Sequence, residues 1–464
     1  MDNTSYTPEE PIAAIATALA PSALGIIRLS GKKSIELLSK LFSRPKALLD
    51  AAGNTIVYGW IKDGDDRIDE VLVSVFKSPK SFTGEDMAEI SCHGGTAVVT
   101  TIFNLLLKNG FRQAERGEFT FRAYINGKAD LTKAEAVREI IESRTDSSRG
   151  RAAGRLAGSL YEEISSIKKL IIDTLAAVEV EIEYPEDEET IADVFDRAGI
   201  VEAIARLKSL NDSWKSEKLF QDGARIVLCG KTNAGKSSLF NSMLKEDRAI
   251  VSDIEGTTRD WIESWINIDG IPARIFDTAG LRATDDYVEH LGVERTRDLS
   301  KDADVILYLA DSTQKIQQED LLFLKNINIP VVFVWNKIDK LCENRILLDD
   351  CLKENIPSLK TEVHISAMNS TGIDVLVKSL KDILTEGKET TRQQAGLGSA
   401  RQKAAVEQAL ECVEHALVAA DDDYTLDAVV QDLEDSLDFI GEITGEVTPD
   451  DVLGSIFSNF CVGK

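Results

Sequence analysis

Hydrophobic and polar positions alternate in four different ways along this chain. Up to about residue 125, short β-rich runs (GIIRLSG, EVLVSVF, AEISCHGG) end in turn residues. Between them GGTAVVTTIFNLLLKNG predicts a helix closed by Gly110, so the segment reads as α+β. From about 130 to 220 the period becomes helical: Leu160, Ile164, Ile167, Ile171, Leu175 and Val178 step by three and four along one face. The acidic EVEIEYPEDEE that follows reads as a solvated loop or the edge of an interface. From 222 to about 385, nearly continuous apolar runs (RIVLCG, VILYLAD, VVFVWN, VHISA) alternate with helical stretches, the pattern of a parallel sheet covered on both faces. A polar linker, TEGKETTRQQAGLGS, then leads into helix again, with Val406, Ala409, Leu410, Val413 and Leu417 on one face. A last helix is predicted at TPDD, with Thr448 as its cap, Pro449 in the first position and Asp450 and Asp451 complementing the dipole. These shifts divide the chain at 1–125, 126–220, 221–385 and 386–464. The two helical segments are expected to pack together as one domain around an inserted α/β domain.

Composition narrows this picture. At 50.9 kDa the chain has room for about three domains of ~150 residues. Its 43% hydrophobic content supports packed cores and excludes wholesale disorder. A formal charge of −26 argues against broad, nonspecific coating of nucleic acid and leaves room for a local basic patch. Between 108 and 128, Lys108, Arg112, Arg116, Arg122 and Lys128 outnumber Glu115 and Glu118, a modest basic stretch. The cysteines at 92, 229, 342, 351, 412 and 461 include no C-x-x-C pair, which argues against a zinc site or disulfide framework and fits a reducing compartment. The apolar IAAIATALAPSALGII follows Asp2, Glu9 and Glu10, not the basic region of a signal peptide. No run of about 18 uninterrupted apolar residues appears, so no membrane span is expected. The expected location is cytoplasmic, with no membrane partner. The terminal SNFCVGK is not a prenylation box, because Gly463 is not aliphatic and Lys464 is a poor final residue.

The clearest chemistry is GKTNAGKSS, Gly230 to Ser238, between the strand RIVLC and the helix SSLFNSML. It fits the phosphate-binding loop: the backbone of Asn233, Ala234 and Gly235 wraps phosphate, Lys236 reaches the β- and γ-phosphates, and Ser237, followed by Ser238, ligates Mg²⁺. In GTTRD, after Gly256, Thr258 is the switch ligand that closes on Mg²⁺ when a γ-phosphate is present. In DTAG, Asp277 holds the metal's water shell, and the Gly280 N–H, beyond Thr278 and Ala279, meets the γ-phosphate. NKID supplies Asn336, Lys337 and Asp339. Asp339 accepts both the ring N–H and the amino group of guanine, a donor pair that adenine lacks. Ser366 and Ala367 of ISA resemble the loop that contacts the base oxygen. Together, in this order, the motifs predict a Ras-like P-loop GTPase domain with a doubly wound sheet. Where Ras-type proteins carry a water-orienting Gln after D-x-x-G, this chain has Leu281 and Arg282. Another group must position water, and a cation must offset charge between the phosphates. Arg282 is one candidate; a monovalent ion on Asn233 is the other.

GKTNAGKSSLFN, IVSDIEGTTRDWIE, DTAGLR, VEHLGVER and the terminal FCVGK together resemble the MnmE (TrmE) family of tRNA-modification GTPases. GIIRLSG, SFTGED, CHGG, GEFTFRAYINGKADLTKAEA and ITGEVTPDDVLGSIFSNFCVGK extend the likeness over the whole length. The resemblance implies a K⁺ site formed by the Asn233 side chain and backbone oxygens of Ser252, Ile254 and Thr257, within a nucleotide-binding loop that also holds Asp253 and Glu255. The bound K⁺ would take the part of an arginine finger, and Glu289 would position the attacking water. It implies a homodimer through an N-terminal domain that binds 5-formyl- or methylene-tetrahydrofolate with Arg28, Glu89, Lys128 and Lys464, and places Cys461 near the chemistry on tRNA. The implied partner is an FAD- and NADH-using protein of the MnmG (GidA) kind, in a heterotetramer or larger complex that modifies carbon 5 of the wobble uridine. Lys231-Thr232 and Glu255 depart from the family's usual residues, and Glu255→Ala is expected to shift the K⁺ requirement. The alternative class is an RNA-binding ribosome-assembly GTPase, whose G-x-x-G clamp does not appear after residue 385.

Overall fold

The computed structural model describes residues 10–183, 195–244, 262–277, 303–341, 356–387, 395–421 and 426–464. They fall into two compact units: Met1–Arg138 with Tyr161–Ile204 and Ala404–Lys464, and Glu139–Leu160 with Ala205–Lys403.

The first unit is built on a sheet of β1 (Ile12–Ile15), β2 (Leu24–Ser30), β3 (Thr55–Asp63), β4 (Asp66–Phe76), β5 (Met87–His93) and β6 (Arg112–Gln113), in the order β3-β4-β5-β2-β1-β6. All its pairings are antiparallel except β1 with β6. Alternation decides which face is covered. Val71, Val73 and Val75 of β4, and Ile27 and Leu29 of β2, point into a core closed by Val99, Ile102, Leu105 and Leu106 of the helix Thr96–Lys108. That helix ends at Asn109, and Gly110 at φ 100 turns the chain as its sequence predicts.

A buried ion cluster lies under the edge of this sheet. The Arg122 guanidinium is fully buried and donates to Glu118 (2.8 Å), Glu85 (2.9 Å) and the Glu10 carbonyl (2.9 Å). Burial raises the Glu118 pKa, but hydrogen bonds from Arg112, the Glu115 N–H and Arg122 outweigh it and hold the carboxyl below its usual range. In the same unit, Phe457 and Phe460 pack with Leu131 and Ala134, and Phe121 meets Phe457 edge to face at 5.2 Å.

The expected cap of the last helix is displaced by one residue. The helix is Asp450–Ser458 and its N-cap is Pro449, whose ψ of 146 is extended. Thr448 therefore lies outside capping reach, and its buried Oγ1 finds no partner among the described residues.

The second unit contains β7 (Ala224–Gly230), β8 (Ile262–Ile268), β9 (Ile271–Asp277), β10 (Val305–Asp311), β11 (Val331–Asn336) and β12 (Leu359–His364), in the order β12-β11-β10-β7-β9-β8. Along β7, Ala224, Ile226 and Leu228 enter one core while Val227 and Cys229 enter the other. Both faces are thus covered, which is why the strand reads as an unbroken apolar run. β8 was not legible as a strand; it pairs antiparallel to β9 and makes the sheet mixed. β12 begins and ends earlier than the run VHISA suggests, which frees Ile365–Ala367 for a loop.

The turn between β8 and β9, Asp269-Gly270, has φ of 48 and 97, the left-handed pair of a tight hairpin. It is anchored from the segment before the helix Asp146–Ala157. Thr145 caps that helix by accepting from Ser148 N and donates its own hydroxyl to the Gly270 carbonyl at 2.7 Å. The Arg144 guanidinium lies 3.9 Å from the centroid of Trp265 on β8. Nearby, Arg151 and Arg155 share the buried carboxylate of Glu217.

Candidate functional site

β7 ends at Gly230, and the helix Lys236–Leu244 starts six residues later. The loop between them holds Asn233 at φ 64 and Gly235 at φ 98. Gly235 allows close approach as well as a left-handed backbone: a Cβ there would lie 2.1 Å from Asn336 Nδ2. Lys236 is buried and donates to the carbonyls of Gly230 (2.6 Å) and Lys231 (2.8 Å), so its ammonium stays inside the loop that it would serve. Asn233, Ser237 and Ser238 are exposed at the mouth. Lys231 pairs with Asp320 and Gln317 at the start of the helix Gln318–Lys325, which gives this departure from the family pattern a local partner.

The guanine-type loops converge on this structure. Asn336, the last residue of β11, is 2% exposed. Its Nδ2 donates to the Ala234 carbonyl at 2.9 Å, and its Oδ1 accepts from Ala367 N at 3.0 Å. One side chain therefore ties the phosphate loop to the loop after β12. That loop is closed by paired backbone bonds between Ser366 and Thr371. Asp339 lies in the short turn Ile338–Lys340, exposed, with Oδ1 accepting from Ser366 Oγ at 2.5 Å. Lys337, at φ 67, donates from Nζ to Asp311 Oδ2 at 2.7 Å. Burial raises the Asp311 pKa, but the hydrogen bonds from Lys337 and Thr313 outweigh it and hold the carboxyl below its ordinary value. Sequence reasoning missed Asp311; a carboxylate closing the apolar run VILYLAD was the available signal.

Asp277 is the final residue of β9, as its motif predicts. Ser252, Asp253, Ile254, Glu255, Gly256, Thr257, Thr258, Thr278, Ala279, Gly280, Arg282 and Glu289 lie outside the described residues.

In the first unit the structure gathers Arg28, Glu89 and Lys464. Arg28 and Glu89 are register partners on β2 and β5, and Arg28 Nε donates to Glu89 Oε1 at 2.9 Å. The guanidinium lies 5.5 and 5.6 Å from the ring centroids of Phe82 and Phe119 and donates to the Gly463 carbonyl at 3.3 Å. The tail is held along its backbone: Gly117 N donates to the Cys461 carbonyl, Phe119 N to the Lys464 carbonyl, and Val462 bridges Arg116. Burial, then the neighbouring Arg28, lowers the Lys464 pKa, with Glu89 and Cys461 opposing. Lys128 is exposed and donates to the Pro79 carbonyl at 3.0 Å, on the loop that carries Phe82, but it does not join the ion cluster directly. The Cys461 side chain is exposed.

A strand, a phosphate loop and a helix, coupled through a buried Asn to a guanine-type loop, define a P-loop GTPase domain. The model of the MnmE helical domain matches residues 131–461, and that of the GTP-binding protein TrmE N-terminus matches residues 11–128. The chain is 52% identical to the tRNA modification GTPase MnmE of Treponema denticola over 474 residues, 99% of each chain. It is 40% identical to that of Treponema pallidum over 493 residues, again 99% of each, and 41% identical to that of Borreliella afzelii over 461 residues, 98% of each. The chain belongs to the MnmE family and is a GTP hydrolase involved in tRNA modification.

Proposed function

We propose that this protein is a homodimeric, K⁺-stimulated, cytoplasmic GTPase that acts with an FAD- and NADH-dependent partner of the MnmG type on carbon 5 of the wobble uridine. The observation that carries the GTP reading is Asn336, which ties the phosphate loop to the base loop with both ends of its amide. Full-length likeness to tRNA modification GTPases favours tRNA over ribosome assembly. Among the described residues no helix is long and apolar enough to cross a membrane.

The donor set fits the expected ions. Ser237 offers a hydroxyl oxygen at the loop mouth, suited to Mg²⁺ together with Thr258. Asn233 is exposed on a left-handed backbone and offers a neutral amide oxygen, suited to K⁺ together with backbone oxygens of Ser252, Ile254 and Thr257. Bound there, K⁺ would supply positive charge against the β- and γ-phosphates. In this reading Glu289 orients the attacking water. Arg28, Glu89 and Lys464, with Lys128 at the rim, form the tetrahydrofolate site beside Cys461. Arg28, close to two aromatic rings and paired to a carboxylate, is held in place for a polar ligand.

GTP hydrolysis serves as a switch in this reading, and the β8–β9 hairpin offers it a route. One end of the hairpin adjoins both nucleotide-sensing motifs in sequence. Its turn is fastened to Thr145, and Trp265 to Arg144.

The test is steady-state GTP hydrolysis in matched KCl and NaCl, for wild type and Asn233→Ala. A large K⁺ advantage, lost in Asn233→Ala, is expected. Equal rates in both salts would overturn the K⁺ mechanism and return Arg282 or an external activator to consideration.

A further inference from the structure

Three side chains of the NKID loop carry polar groups, and each has its own anchor. Asn336 is held by Ala234 and Ala367, and Asp339 by Ser366. Both sets of partners belong to recognised nucleotide motifs. Lys337 is anchored by a residue outside every such motif. We propose that Asp311 is a positioning residue of the guanine site: it fixes Lys337 before nucleotide arrives, so that the four-carbon stem stands as a preformed apolar wall for one face of the base. This inference rests on the guanine reading of Asn336 to Asp339.

The geometry makes Asp311 a prepared anchor. It closes β10 directly opposite Asn336 on β11, and Ser312 N donates to the Asn336 carbonyl at 2.9 Å, so the two strand ends are locked in register. One carboxylate oxygen, Oδ1, accepts from Thr313 N at 2.9 Å and Thr313 Oγ1 at 2.7 Å. That leaves Oδ2 aimed at Lys337 Nζ, 2.7 Å away. The side chains are 12% and 26% exposed. A pair of this kind at a partly wet strand end contributes little to folding. Its effect on binding is larger, because lysine has among the highest rotamer entropies and a nucleotide that had to order it would bind more weakly. Lys337 also keeps a left-handed backbone that lysine rarely adopts, so the loop holds it in one conformation at both backbone and head group.

The experiment uses the full chain and measures binding of a fluorescent N-methylanthraniloyl-GDP, with steady-state GTP kinetics, for wild type, Asp311→Asn, Lys337→Met and the double variant. Asp311→Asn is expected to weaken GDP about five- to tenfold, the scale of ordering one long side chain. KM for GTP should rise while kcat stays near wild type. The double variant should bind no worse than Lys337→Met, because the two residues act as one unit. Thr313→Val keeps the carboxylate but loosens it, and should shift affinity in the same direction by about two- to threefold. Wild-type affinity in Asp311→Asn, or additive losses in the double variant, would overturn the role of Asp311. ADP competition separates this from the underlying reading: a wild type that binds ADP as well as GDP overturns the guanine assignment itself. A GDP-selective wild type with an indifferent Asp311→Asn overturns only Asp311.

Discussion

The two six-stranded sheets present their candidate sites in opposite ways. In the second unit every described candidate lies at or just beyond the carboxyl end of a strand: Gly230 and its loop after β7, Asp277 on β9, Asp311 on β10, Asn336 on β11, Ser366 after β12. Parallel strands align those ends along one edge, so each part of the site is a short contiguous word. In the first unit Arg28 and Glu89 lie within antiparallel strands, on neighbouring positions 61 residues apart, and the third member, Lys464, arrives with a tail whose Gly463 carbonyl accepts from Arg28 across 435 residues. No local word can spell such a site. The parallel strands of the second sheet bring its candidate residues to one edge; the antiparallel strands of the first assemble theirs by long-range register and by a docked terminus.

The comparison breaks most visibly at Arg122. It is buried beneath the first sheet and holds Glu118, Glu85 and the Glu10 carbonyl together. Glu85 lies in the loop that carries Phe82, and Glu118 precedes Phe119, the two rings close to Arg28. Arg122→Met should destabilise this unit by up to about 3–5 kcal/mol, since Glu85 loses its ion pair and the buried Glu118 keeps Arg112 as its remaining cation. In chemical denaturation, followed with separate probes on each unit, the second unit's transition is expected to stay in place. A shift of both transitions by the same amount would show that the two sites do not stand on separate foundations.

The edge site is sharpened by Asp339→Asn. Its carboxylate is exposed and oriented by Ser366, so the change leaves the core intact. It exchanges an acceptor pair for a mixed amide. GTP affinity should fall about a hundredfold or more, with xanthine nucleotides gaining in relative affinity, because the site's pattern no longer matches guanine. Competition binding with GDP and XDP measures this. Unchanged preference would remove Asp339 from base recognition.

A smaller effect is expected at Trp265. Trp265→Leu removes the ring stacked by Arg144 and Arg274 and packed against Gly223, and should cost the second unit about 1–3 kcal/mol, through lost packing and cation–π contact. If the hairpin is the route out of the nucleotide site, GTP hydrolysis should persist while tRNA modification in the reconstituted system falls. Parallel loss of both activities would mean a general defect in place of a broken link.

The same contrast explains how much was legible. RIVLCG, VILYLAD and VVFVWN announced β7, β10 and β11 because burial on both faces makes a strand apolar throughout. β8 hid in IESWINI because the pairs Glu263-Ser264 and Trp265-Ile266 break the strict alternation of a strand and its neighbours belong to a nucleotide motif. Gly110 as helix terminator was readable from chain chemistry. The N-cap at Pro449 was not, since TPDD offers two adjacent starts and backbone ψ chooses between them. NKID named its residues but not their anchors: Asp311 becomes meaningful only once β10 and β11 are in register. Arg28, Glu89 and Lys464 had no local signal at all and came from resemblance alone. The buried Arg151–Glu217–Arg155 cluster gave no sequence signal, because its members look like ordinary helical surface charges until the chain brings them together.

The smallest expected effect separates the two candidate lysines. Lys236 donates to the Gly230 and Lys231 carbonyls. Lys464 is half-buried beside Arg28, and burial with that like charge lowers its pKa below the usual lysine value. The unfolded chain therefore holds this proton more tightly than the folded one. Below the folded pKa the penalty is fully present, and stability rises as pH climbs from there towards about 10.4, the unfolded value. Lys464→Met should accordingly stabilise the first unit at pH 7, by less than about 1 kcal/mol because water screens a half-exposed ammonium. The advantage should shrink as pH approaches 10. Denaturation midpoints of both proteins between pH 7 and 10 measure it. Such a gain would mark Lys464 as a charge kept against stability, as expected of a residue awaiting an anionic ligand. An advantage that does not fall with pH, or a loss at pH 7, would make the tail lysine a structural group and leave Arg28 and Glu89 to bind any ligand without it.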